Sequence, residues 1–126
     1  MKKTEITQKK GYSTLLSSGY WKIAISNSEE KEIVKDISRH LETDESFILL
    51  EGTGYIITAK EKEGKLLFDW HEISPGVIYT VEKNEWHVHK WDENTKVLII
   101  ENSDTSDLNS DKYILTEEEK AFLNSI

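Results

Sequence analysis

Short apolar segments separated by turn residues are the feature that most constrains the fold of this 126-residue chain. The segments are rich in β-branched and aromatic residues, and several alternate apolar with polar side chains, as a half-buried strand does. We count about eight of them, at the short spacing that is typical of antiparallel sandwiches and barrels. The sequence therefore predicts an all-β fold.

The clearest strand candidates are 20–25, 46–51, 55–59, 65–73, 77–81, 86–91 and 96–101. The turn Gly52-Thr53-Gly54 predicts a β-hairpin between the strands on either side of it. The apolar spacing within residues 32–41 fits either a strand or a helix face, and residues 11–18 are interpreted as a short turn or helix. Thr116 and Glu119 form a capping-box pattern, which predicts a short helix over 117–124.

A chain of this length is expected to form one domain, because a single core suffices for it. The predicted barrel covers about residues 20–101. A polar N-terminal arm, residues 1–10, precedes it, and a polar tail with the short helix, residues 102–126, follows it.

Charge and composition exclude several classes of function. The net charge is −8 and Arg39 is the single arginine, so a basic face for nucleic acid is not expected. The absence of cysteine excludes disulfides, thiolate zinc sites and thiol catalysis. No segment approaches the roughly 18 apolar residues that a membrane span requires, and residues 1–10 lack the apolar core of a signal peptide, so a cytoplasmic protein is expected.

Two histidines and one glutamate, His40, Glu45 and His87, lie on or beside the strand candidates. If these strands pair in one barrel, the three side chains can converge on one interior point. Imidazole nitrogen and carboxylate oxygen together suit a divalent first-row metal such as Mn, Fe, Ni or Zn. Three protein ligands with open positions are typical of a catalytic metal site rather than a structural one.

The order and spacing of these residues resemble the two sequence motifs of the cupin superfamily, whose members are small jelly-roll barrels. His40, Glu45 and Gly52 match the second half of the first motif, and Gly76 and His87 stand at the separation that the second motif requires. The resemblance covers roughly residues 20–101. It implies a double-stranded β-helix, or jelly-roll, with a metal site in its interior.

The chain departs from the family pattern at five motif positions, Glu32, Ser38, Glu82, Asn84 and Trp91. The usual site of three histidines and one glutamate would here keep His40, Glu45 and His87 and lose the histidine at Ser38. His89 and Asp44 are the alternatives for a fourth ligand. The two histidines can also be hydrogen-bonded interior residues of a barrel that has lost its metal.

Strand parity extends the predicted site to a substrate pocket. Ser38 lies on the His40 face of its strand, and His89 and Trp91 lie on the His87 face of theirs. We therefore assign Ser38, His89 and Trp91 to the pocket, with His89 as the group that transfers a proton and Trp91 as a surface for sugars or rings.

Three functions follow from these residues and the resemblance. The first is a metal-dependent enzyme acting on a small polar substrate that is sugar-like or carboxylate-like. The second is a metal-free keto-sugar isomerase or epimerase in which His40 or His87 is the base. The third is a small-molecule binding module without turnover.

Leu66, Phe68 and Trp70 share one face of a predicted strand. Small barrels bury such a face against a second copy, and the resemblance implies dimerisation through the sheets. A homodimer is therefore expected.

Overall fold

The computed structural model describes residues 1–126 and contains two five-stranded antiparallel sheets that face each other. The strands are β1 Gly11–Ser17, β2 Trp21–Ser28, β3 Asp36–His40, β4 Glu45–Glu51, β5 Gly54–Lys62, β6 Lys65–Glu72, β7 Ile78–Val81, β8 Trp86–Trp91, β9 Thr95–Asn102 and β10 Ser110–Ile114. A 3-10 turn, Asp107–Asn109, precedes β10, and the helix α1 spans Glu117–Asn124. Neither helical segment is long and apolar enough to cross a membrane.

The strand order shows why the fold is a jelly-roll rather than a simple meander. One sheet has the order β1-β2-β9-β4-β7 and the other β10-β3-β8-β5-β6, so most neighbours in a sheet are distant in sequence. The all-β prediction and the helix over 117–124 are confirmed.

The predicted hairpin at Gly52-Thr53-Gly54 is wrong. Strand β4 belongs to the first sheet, where it pairs with β7 and β9, and β5 belongs to the second, where it pairs with β6 and β8. The turn thus crosses between sheets. Gly52 has a φ of +88°, and a Cβ there would overlap the backbone and side chain of Thr95, so this tight corner requires glycine.

Two edge strands were not predicted as strands. The sequence of residues 11–18 favours a turn or helix, yet β1 pairs with β2 along its length, and β10 lies in the segment predicted to be a polar tail. Both have sequences rich in polar residues, because each has a neighbouring strand on one side only and neither contributes to the core between the sheets. The ambiguous segment 32–41 contains β3.

The apolar interior has two parts. The first lies between the sheets and consists of Ala24, Phe47, Leu49, Ile56, Ile73, Val81, Trp91, Val97 and Ile99. The second lies between the outer face of the second sheet and the C-terminal segment that contains α1, and consists of Val34, Ile37, Ile57, Ala59, Leu115 and Leu123. Lys90 is buried beside α1, where its ammonium donates to the carbonyl of Leu123 at 3.2 Å.

The helix covers part of the face for which we expected a second copy of the chain. Leu66 and Phe68 pack against the second core, and Trp70 makes an edge-to-face contact with Phe122 of α1, with ring centroids 5.7 Å apart. The homodimer stays a prediction.

Replacing Thr116 by alanine is expected to lower the free energy of unfolding by about 1 kcal/mol. Its hydroxyl accepts from the Glu119 amide at 3.1 Å, and the Glu119 carboxylate accepts from the Thr116 amide at 2.9 Å, so the change removes one half of a capping box. Urea unfolding measures the difference, and Thr116→Ser, which keeps the hydroxyl, is the matched control. Equal losses in the two variants would contradict this role for the cap.

Candidate functional site

A polar cavity of about 590 Å³ lies between the two sheets, on the side of the barrel formed by β1 and β10. All 13 of its lining residues have a polar or charged group in the side chain; the set is Tyr12, Lys22, Asp36, Ser38, His40, Glu45, Glu101, Thr105, Ser106, Asp107, Ser110, Asp111 and Lys112. The volume suits a small molecule. The lining therefore favours a ligand that makes many hydrogen bonds.

His40, Glu45 and His87 converge at the inner end of this cavity, as the sequence predicts. His40 is the last residue of β3, Glu45 the first of β4, and His87 the second of β8. The Nε2 atoms of His40 and His87 lie 2.7 and 3.0 Å from the same oxygen, Oε2 of Glu45. Glu45 and His87 are buried, whereas His40 is partly exposed and lines the cavity.

The hydrogen bond of His87 to the backbone fixes which ring nitrogen carries a proton. Its Nδ1 lies 3.0 Å from the carbonyl oxygen of Glu85, which can only accept, so Nδ1 donates. In neutral His87 the lone pair of Nε2 would then face the Glu45 carboxylate at 3.0 Å. Two acceptors at that distance require a cation between them, either a proton on Nε2 or a metal ion.

The two charges at the site stabilise each other. Burial raises the pKa of Glu45, but the hydrogen bonds from His40 and His87 outweigh it and bring that pKa down to about 2. Burial lowers the pKa of His87, but the hydrogen bond and the charge of Glu45 outweigh it, so the net shift is upward. Without metal, Glu45 and His87 therefore each favour the charged form of the other.

Ser110 is a site residue that the sequence did not reveal. It belongs to β10, and its hydroxyl lies 2.7 Å from Nδ1 of His40, on the side of the ring away from Glu45. It therefore orients the His40 ring as the Glu85 carbonyl orients His87. A serine in a polar tail carries no signal of this role, since the role depends on the pairing of β10 with β3.

The motif departures are explained in part by the structure. Ser38 lines the cavity and is the cross-strand partner of His87, so a serine hydroxyl stands where the resemblance implies a histidine. Asn84 has a φ of +68°, a conformation that asparagine adopts more readily than other non-glycine residues. Its backbone N–H donates to the His40 carbonyl at 2.8 Å. Asp44 accepts from the Lys83 amide at 2.8 Å and is not part of the metal-ligating group.

His89 and Trp91 lie away from the cavity that holds the other site residues. Trp91 is fully buried in the core and donates from its indole nitrogen to the Ser26 hydroxyl at 3.0 Å. His89 stacks on Trp91 with ring centroids 4.4 Å apart, and its Nδ1 lies 2.8 Å from a carboxylate oxygen of Glu32. Strand parity gives the correct face, but His89 lies two residues and Trp91 four residues beyond His87 on β8. These separations, about 6.6 and 13 Å along the strand, place both rings past the centre at His87.

A second polar group occupies the same cavity and was missed by sequence reasoning. Tyr12 donates to Oε1 of Glu101 at 2.8 Å, and Nζ of Lys22 lies 3.6 Å from the same oxygen. Burial raises the pKa of Tyr12, and the charge of Glu101 adds to this, so the phenol remains a donor. These residues come from adjacent strands, β1, β2 and β9, and β1 was not recognised as a strand.

No protein-family model and no curated protein matches the chain. Among solved structures, a cupin superfamily protein from Desulfitobacterium hafniense is similar with a TM-score of 0.55, 18% identity, and coverage of 74% of this chain and 76% of that one. The protein BH2720 from Bacillus halodurans is similar with a TM-score of 0.62, 15% identity, and coverage of 93% and 84%. Pac13 of Streptomyces, a nucleoside dehydratase, is similar with a TM-score of 0.59, 9% identity, and coverage of 92% and 90%.

These similarities show the fold, at identities too low to show more. The chain has the cupin jelly-roll fold, as its motifs indicate.

Proposed function

We propose that this cupin-fold chain binds a divalent metal ion through His40, Glu45 and His87 and acts on a small polar substrate in the adjoining cavity. The observation that carries the proposal is the convergence of two imidazole Nε2 atoms on one carboxylate oxygen. The Glu85 carbonyl takes the other nitrogen of His87, so Nε2 is the one available to an ion.

The donor set fits a first-row metal. The three ligand atoms lie within 4.8 Å of one another, a span that one ion with bonds of about 2.0–2.2 Å bridges after small side-chain rotations. The Glu85 carbonyl and the Ser110 hydroxyl hold the outer nitrogens of the two rings, which is the supporting arrangement that metal-bound histidines commonly have. The ion would supply Lewis-acid polarisation of a substrate oxygen.

The chain's own residues would bind and orient the substrate. His40 and Glu45 line the cavity, so a ligand there reaches the centre directly. On the core side of the centre, the ring of Phe47 is fully buried and packs against His87 with ring centroids 6.4 Å apart.

A metal-free function is the second candidate, and Ser38 favours it. Serine replaces one expected ligand, and the Glu45–His87 pair is complete as an ion pair without any metal. His40 is then the imidazole that faces the cavity and serves as base or acid toward a sugar, as in a keto-sugar isomerase or epimerase.

Elemental analysis and titration with Mn²⁺ and Zn²⁺ test the proposal. The parent is expected to bind one ion per chain, and His87→Ala is expected to bind more than about 100-fold more weakly because a direct ligand is lost. His71→Ala is the matched control, since His71 is half-exposed on β6 and its charged neighbour is Asp69, at 3.6 Å. No ion binding by the parent, or an equal loss in both variants, would overturn metal binding in favour of the metal-free function.

A further inference from the structure

Glu101 has a carboxylate oxygen that nothing in the protein satisfies. Its Oε1 accepts from Tyr12 at 2.8 Å and lies 3.6 Å from the Lys22 ammonium. Its Oε2 is buried, since only 6% of the side chain is exposed, and it has no hydrogen-bond partner. Nearly all buried polar atoms in proteins have a partner, because an unmade hydrogen bond costs the full desolvation of the group.

The position of Glu101 indicates that the missing partner belongs to a ligand. Glu101 lines the same cavity as His40 and Glu45. The register that pairs Ser46 with Ile100 places Glu45 and Glu101 opposite each other on β4 and β9, and hence on the same face of the sheet. A small molecule in the cavity can therefore contact the metal-ligating group and Glu101 together.

The charges around the cavity define the kind of donor that is required. Glu101 has Lys22 beside it, Asp111 is paired with Arg39 at 2.9 Å, and Glu45 has His87. Because Lys22 already lies beside Glu101, Oε2 of Glu101 needs a hydrogen-bond donor rather than another positive charge.

An anionic ligand is disfavoured by the rest of the lining. Asp36 and Asp107 face the cavity against one further lysine, Lys112, and Arg39 does not line it. The Arg39 guanidinium instead stacks on the Trp86 ring at 4.6 Å. A phosphate or carboxylate would find few free cations here.

We infer that Glu101 determines substrate specificity: its Oε2 accepts a hydrogen bond from a hydroxyl group of a neutral, polyhydroxylated ligand that also reaches the His40–Glu45–His87 group. The inference rests on the proposed function in one respect, that this cavity is the substrate site. Tyr12 and Lys22 hold the carboxylate by its other oxygen and so aim Oε2 at the ligand. Burial and the charge of Glu45 raise the pKa of Glu101, the direction expected of a carboxylate that lacks a donor.

The inference is tested by titrating the protein with D-ribose, D-glucose and uridine while the chemical shifts of its backbone amides are measured. D-glucosamine and D-glucuronate are the cationic and anionic comparison ligands. At least one neutral probe is expected to shift cavity resonances and to bind more tightly than both charged sugars. Glu101→Gln, which places an amide donor where the ligand hydroxyl must donate, is expected to weaken that binding about tenfold or more.

Two further variants keep the test decisive. Glu51→Gln makes the same chemical change at an exposed carboxylate that does not line the cavity and is expected to leave binding unchanged. Tyr12→Phe, at a half-exposed position, removes the hydroxyl that holds Glu101 and is expected to weaken binding several-fold. This variant tests the inference if Glu101→Gln does not fold.

The inference is overturned if no neutral probe binds, if a charged sugar binds more tightly, or if Glu101→Gln binds as the parent does. A parallel Mn²⁺ titration of the parent separates it from the proposed function. Sugar binding without Mn²⁺ binding refutes the metal centre alone, and Mn²⁺ binding without sugar binding refutes the role of Glu101 alone.

Discussion

Replacing Trp91 by alanine is expected to lower the free energy of unfolding by about 3–5 kcal/mol, the range for deleting a large buried aromatic side chain. Trp91 is fully buried in the core between the sheets, where it packs edge-to-face on Phe47 with ring centroids 6.0 Å apart. The change also leaves the buried Ser26 hydroxyl without the indole donor at 3.0 Å. The expected loss therefore combines a cavity with an unmade hydrogen bond.

Urea unfolding of the parent, Trp91→Ala and Trp21→Ala measures this effect. Trp21 is the matched control because it is 44% exposed at the start of β2 and belongs to neither apolar cluster. We expect its replacement to cost less than about 1 kcal/mol. Similar losses in the two variants would show that Trp91 does not anchor the interior.

The stability of the metal-free protein is expected to fall by about 2–3 kcal/mol as the pH drops from 4.5 toward 2, because the pKa of Glu45 is lowered from 4.5 to about 2 on folding. A carboxyl with a depressed pKa stabilises the folded state above its unfolded pKa and loses that contribution as it becomes protonated. His87 has the opposite sign: its pKa is raised above 6.5, so its contribution is complete below 6.5 and is lost as the pH rises through the folded value. The pair is therefore most stabilising between pH 4.5 and 6.5.

The difference in unfolding free energy between the parent and Glu45→Gln, measured against pH with a chelator present, isolates this contribution. The subtraction is needed because burial raises the pKa of Glu101, which shifts stability in the opposite direction. Asp107→Asn, at an exposed carboxylate, is the matched control. A parent-to-variant difference that stays constant down to the acid limit would contradict the ion pair.

Local pattern was sufficient to predict the individual strands but not their partners. Strand β8 has the predicted bounds, because Trp86 to Trp91 alternates around His87. The turn at Gly52 was identified correctly and its topology wrongly, because a glycine-marked turn looks the same in a hairpin and in a crossing between sheets. Only the long-range pairing of β4 with β9 distinguishes the two.

The candidate site likewise contains residues that the sequence predicts and residues that it does not. The sequence identified His40, Glu45 and His87 because motif spacing fixes their strands and parity fixes their faces. It did not identify Ser110 or Glu101, whose places in the site depend on which strands become neighbours. Residue types with many ordinary roles carry a functional signal only once the topology is known.

The separation of the cavity lining from the apolar core has a consequence for adaptation. No residue of the core between the sheets lines the cavity, and four lining positions lie on edge strands that pair on one side only, namely Tyr12, Ser110, Asp111 and Lys112. Substitutions there change the chemistry offered to a ligand while the packed layer around Phe47 stays intact, so they carry a small energetic penalty. Selection can thus alter what this barrel recognises without first increasing its stability, and new specificities are accessible by single steps.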